Sequence, residues 1–204
     1  GLNTALAEGL KSAGRQDLWT FHDPAVRVAS VLGSGGDVDV VSQWTYSYPD
    51  PLRIATATDE LLAMARHAGS EQDVMKMTQI IWYRSQTAPA GPAGTGPRSV
   101  WEDTEPGADF ITIAPMHLRE AFWTKIARPA KGIMYHGWES LVPTTSTGAY
   151  RYTHPDTQAE LARLTHEIVQ PLGPALRQVP EPAADVAVLE SFASQMFAGR
   201  GTYG

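Results

Sequence analysis

The sequence predicts an α/β protein of (β/α)-barrel type with parallel strands. Short β-branched or aromatic runs alternate with helical stretches four times, the pattern of parallel strands joined by crossovers. The carboxyl ends of those runs carry His22, Asp23, Tyr46, Tyr48, Asp50, Gln79, Trp82, Tyr83, His136, Trp138 and Glu139. Polar and aromatic residues at successive strand ends are what the active face of a barrel requires. No glycine-rich turn follows a strand; residues 33–36 precede one instead. That is the wrong context for a dinucleotide-binding turn, so of the two possible closures the open nucleotide-binding sheet is the weaker.

The elements follow in order. Residues 2–13 place Leu2, Leu6 and Leu10 on one helical face, and Gly14 ends the helix. Residues 17–23 form the first strand, and 25–33 a short helix or an extended excursion. Residues 38–44, rich in valine, form the second strand. A helix is expected over 59–68, with Thr58 or Asp59 as its N-cap. Residues 74–84 read as the third strand. The stretch 85–108 has no regular pattern, and a loop of that length in a compact domain is a lid, a binding loop or disorder. Residues 110–115 lead into a helix ending near 127, with Pro115 in its first turn. Residues 131–138 are a strong fourth strand and 142–154 a polar loop. A helix over 155–169 is ended or redirected by "PLGPAL". Residues 180–184 form a linker, and 185–191 a last strand.

Composition narrows the function classes. The chain has 204 residues, 43% hydrophobic and 19% charged, enough to bury a sizeable core. A formal charge of -6 argues against a nucleic-acid footprint or an anionic membrane partner. With no cysteine there is no disulfide, thiolate metal site or cysteine nucleophile. The apolar runs are too short to span a bilayer, and residues 2–13 lack a signal-peptide layout. The compartment stays open. Because the first residue is Gly1, the chain is expected to be processed or cut from something longer.

The stretch "AKGIMYHGWESL" (130–141), then "THPDTQAELARLTHEIVQPLGPALRQV", then "ADVAVLESFASQMF" resembles the β-galactosidase-like retaining glycoside hydrolases. The resemblance covers roughly residues 110–196 and is weaker over 17–84. It implies a (β/α)8 barrel followed by a flavodoxin-like domain. Residues 17–23, 38–44, 74–83 and 132–138 would be barrel strands five to eight, so that 1–179 is the C-terminal half of the barrel. Residues 185–204 would then be the first strand of a truncated second domain, or a C-terminal appendage. It also places the family's acid/base glutamate on a strand outside this chain. Where the family has its nucleophilic glutamate on the seventh strand, this chain has Gln79, which can hydrogen-bond a substrate but cannot form a glycosyl ester.

Hydrolysis of a β-linked sugar needs two carboxyl groups flanking the bond, one of them held protonated. The candidates are Glu139, where partial burial after an aromatic strand end would raise the pKa, and Asp23, with Asp50 as a substitute. Glu139 could equally cap a loop or pair with an arginine. Asp23 and Asp50 precede prolines, as turn formers do. Trp44, Tyr46, Tyr48, Trp82, Tyr83 and Trp138 suit stacking on sugar rings, with core packing the alternative reading, and His136 and Gln79 suit hydrogen bonds to hydroxyls. No cofactor is expected. His22, His136 and His154 lack the spacing of a metal set, and no Gly-x-Ser-x-Gly elbow surrounds a serine. The expected partners are a carbohydrate substrate and, because four βα units leave two open sheet edges, a homo-oligomeric copy or a complementing half-barrel. Two other readings stand beside the hydrolase: a non-catalytic, sugar-binding half-barrel that must oligomerise, and a metal-dependent barrel hydrolase.

Overall fold

A computed structural model describes residues 2–23, 37–45, 50–67, 72–83, 110–141, 156–181, 183–189 and 191, without the side chains of Thr45, His67, Trp82, Tyr83, Phe110 and Ile111. Its centre is a four-stranded, all-parallel sheet in the order β1-β2-β3-β6. The strands are β1 (Phe21–His22), β2 (Val40–Thr45), β3 (Asp73–Gln79) and β6 (Gly132–His136). The expected α/β class and parallel sheet are present. The first strand is shorter than expected, with only Phe21 and His22 pairing.

Helix α1 (Leu2–Ser12) leads into β1. Helix α2 (Pro51–His67) joins β2 to β3. It begins eight residues before the expected helix, because Asp50 caps it and Pro51 suits its first turn. Asp50 Oδ1 accepts the N–H groups of Leu52 at 3.0 Å and Arg53 at 3.1 Å. Val41 and Val74 pack with Leu61, Leu62, Met64 and Ala65 in one apolar cluster between sheet and helix.

The third strand is not continuous to Tyr83. The chain bends at Ile80, and β4 (Ile81–Tyr83) leaves the sheet to pair antiparallel with β5 (Phe110–Thr112). The Ile80 N–H donates to His136 O at 2.7 Å, and Ile80 O accepts from Ile113 at 2.6 Å. Ile80 is therefore the joint between the sheet and this ribbon. Its side chain, fully buried, packs with Ile54, Ile113, Leu118, Phe122, Leu141, Leu161 and Leu164 in the larger core.

Helix α3 (Pro115–Ile126) follows, then β6, then a single 3-10 turn (Trp138–Leu141). The last helical body runs as α4 (Asp156–Arg163), a π segment (Leu164–Val169) and α5 (Gln170–Leu176). The sequence "PLGPAL" therefore does not end the helix. The widened turn precedes Pro171, which lacks an N–H and whose ring would strike a carbonyl in a regular α-turn. Glu160 ties this body to α3, taking Arg119 Nε at 2.8 Å and Arg163 at 2.7 Å. Residues 183–189 and 191 form no strand, and Val186, Val188 and Leu189 are exposed. The expectations for 25–33, 85–108 and 142–154 lie outside the described residues.

Candidate functional site

Alternation assigns the two faces of the sheet. Val74, Lys76 and Thr78 of β3 point at the helices: Lys76 Nζ lies 3.5 Å from Ala57 O of α2, and Thr78 Oγ1 takes Lys125 of α3 at 2.5 Å. Register then puts Ser42, Trp44, Met75, Met77, Gln79, Gly132, Met134 and His136 on the opposite face, with Phe21 and Asp23 continuing it across β1. Four of the residues expected at the site, Asp23, Trp44, Gln79 and His136, therefore share that face at or near the carboxyl ends of four neighbouring strands.

Gln79 and His136 are direct register partners on adjacent strands. Gln79 is only 1% exposed, and its Nε2 has no hydrogen-bond partner among the described residues. A buried amide donor left unpaired costs about 1–3 kcal/mol, which a ligand acceptor would recover. His136 beside it and Trp44 on the next strand are half-buried, as is Asp23, which the register places level with Ser42 and Met75, four residues before Gln79. Met134 reaches across β3, so that its Sδ lies 3.4 Å from Ser42 Oγ. The two strands that touch are two spacings apart, about 9.6 Å, so this face is concave.

After His136 the chain turns at Gly137, whose φ of +87° lies in the left-handed region and where a Cβ would come within 3.1 Å of Ile81. The turn lifts Trp138, 59% exposed, and Glu139 into solvent at the rim. The partial burial expected of Glu139 is absent, because the 3-10 turn buries the next two residues, Ser140 and Leu141, in its place. Ser140, set aside in the sequence for want of a Gly-x-Ser-x-Gly elbow, lies in this turn. Its hydroxyl is buried without a hydrogen-bond partner among the described residues, while its carbonyl accepts from Thr112 at 3.0 Å. No sequence signal marks it, since its burial follows from the turn.

Asp50 is exposed, with Oδ1 engaged in capping α2. Trp82 and Tyr83 lie on β4, the ribbon rooted at the same end of the sheet as Gln79. Tyr46, Tyr48 and His154 fall outside the described residues. Among the described residues no three His, Asp or Glu side chains converge as metal ligands would. Comparison with protein-family profiles, curated proteins and solved structures found no match.

Proposed function

We propose that the parallel sheet is half of a (β/α)8 barrel resembling that of the β-galactosidase-like glycoside hydrolases, and that its strand ends bind a β-linked sugar for hydrolysis. The buried, unpartnered Nε2 of Gln79 beside His136 carries this reading. A sugar hydroxyl is an acceptor and a donor at once, so it suits an amide next to an imidazole. Trp44 on the same face and Trp138 on the rim offer apolar surface to ring C–H groups. The concavity of the face supports a curved, barrel-like sheet over a flat one.

Hydrolysis would draw on Asp23 and Glu139. Asp23 sits half-buried on the concave face; Glu139, in solvent, would have to meet the substrate at the rim. A second reading, sugar binding without turnover, is favoured by one observation: Asp50 is engaged as a helix cap and Glu139 is exposed, which leaves Asp23 as the one half-buried candidate carboxylate.

Titration of methyl β-glycosides, read by tryptophan fluorescence, tests the site. Gln79→Ala should weaken binding roughly tenfold, the value of one hydrogen bond of about 1.4 kcal/mol. Binding that is unchanged in Gln79→Ala and His136→Ala would refute the site. Turnover of nitrophenyl β-glycosides, lost in Asp23→Asn or Glu139→Gln, separates the hydrolase from the binding module.

A further inference from the structure

We propose that a second copy of this chain closes the barrel, with β1 of each copy pairing in parallel with β6 of the other. This rests on the half-barrel reading above and names its partner.

The two edges of the sheet, which no strand among the described residues covers, carry the observations. Strand β6 has the apolar sequence "GIMYH", yet all five of its residues are only half-buried, whereas residues 40–43 of β2 are buried. Parallel strands are ordinarily covered on both faces, so β6 lacks a neighbour among the described residues. On the helix side of β6 a cavity of about 460 Å³ separates Ile133 and Tyr135 from Val169 and Leu176, with Phe122 and Ile126 of α3 closing it. The terminal helix thus stands off from the edge strand, leaving room for the side chains of a further strand.

At the other edge, Phe21 of β1 is 51% exposed and the nearby Trp19 is 64% exposed. Helix α1, which precedes β1, turns Leu2, Leu6 and Leu10 to solvent in one stripe. A parallel sheet has unlike edges, so a β1 edge can meet a β6 edge with all strands pointing one way. A two-fold axis along the barrel makes both junctions in one operation and yields eight strands, the number at which side chains fill a barrel interior. An added single strand or peptide would satisfy only one edge. The same two-fold axis sets Asp23 and Asp23 of the partner subunit on opposite sides of the closed barrel.

The absence of cysteine makes the test clean. Sedimentation equilibrium of the unmodified chain should give twice 22.1 kDa. Phe21→Cys combined with Met134→Cys, both on the same face of the sheet, should yield a covalent dimer on oxidation, while each single variant should not. Within one chain β1 and β6 lie three strand spacings apart, about 14 Å, beyond the ~7 Å Cα limit of a disulfide. A monodisperse monomer, aggregates without a defined mass, or dimers that cross-link as well through Phe21→Cys alone would overturn the proposal. Glycoside titration is scored separately. A closed dimer that binds no sugar defeats the sugar reading alone, and a monomer that binds sugar defeats closure alone.

Discussion

Lys125 sits in the last turn of α3, where a cation is ordinarily solvated and interacts with the helix C-terminus. It is instead fully buried, its amine donating to Thr78 Oγ1 at 2.5 Å and Met77 O at 3.1 Å. Burial pulls its pKa down from 10.5 to about 7. Between about 7 and 10.5 the unfolded chain holds a proton that the folded chain has released, so stability rises with pH across that window and falls as pH drops through 7. Urea midpoints of the native chain should therefore increase from about pH 7 to about pH 9.5, and Lys125→Met should flatten that slope. Gly137 gives a second expectation at this scale. Gly137→Ala should lower stability by roughly 1–2 kcal/mol in urea unfolding, from the left-handed φ alone, with the close approach to Ile81 adding to it. The glycine was legible in the sequence as part of a strand end, but its positive φ was not. The place of Gln79 at the end of a strand was legible in the sequence. Its unpaired amide emerges only from packing, as does the buried hydroxyl of Ser140.

Among the elements, what the sequence misplaced has a common cause. Local pattern reads apolar runs, while capping and pairing depend on partners distant in the chain. The start of α2 was missed because Asp50 sits between two prolines and reads as a turn former; its carboxylate in fact opens a helix. Asp50→Ala should cost about 1 kcal/mol in thermal or urea unfolding, with Asp50→Asn retaining most of it. The run 74–83 looked like one strand because its apolar residues do not break at Ile80, where the chain leaves one sheet for another. The helix through "PLGPAL" was hidden by two prolines, of which Pro171 directly follows the π turn and Pro174 lies inside α5. The contact joining that helix to α3 is testable. Arg119 and Arg163 hold the Glu160 carboxyl down at about 2 from its usual 4.5 through charged hydrogen bonds. This stabilisation is complete above about pH 4.5 and is lost as pH falls through 2. Because both arginines are more than a third exposed, screening reduces the contribution. Glu160→Gln should cost about 1 kcal/mol at neutral pH and remove part of the acid-unfolding slope, as measured by circular dichroism against pH.

At the scale of the whole molecule, the parallel order was legible because strand and helix periods alternate and because each strand needs a crossover to its parallel neighbour. Curvature was not, since it is carried by contacts such as Ser42–Met134 between residues 92 positions apart. The expected strand over 185–191 had the right β-branched residues but gains no pairing; Val188 and Leu189 are more than nine-tenths exposed. Propensity alone cannot supply the neighbour that makes a strand. The ribbon of β4 and β5 has a consequence of another kind. Its register matches Tyr83 with Phe110, so the chain that departs after one residue returns beside it. Tyr83 and Phe110 are thus held side by side, at the width that a two-residue hairpin turn spans. A chain in which an Asn-Gly turn joins Tyr83 directly to Phe110 should keep the pairing of β4 with β5, as read by amide hydrogen exchange. The ribbon therefore fixes, beside the strand ends of the sheet, two neighbouring points at which the chain can be joined directly.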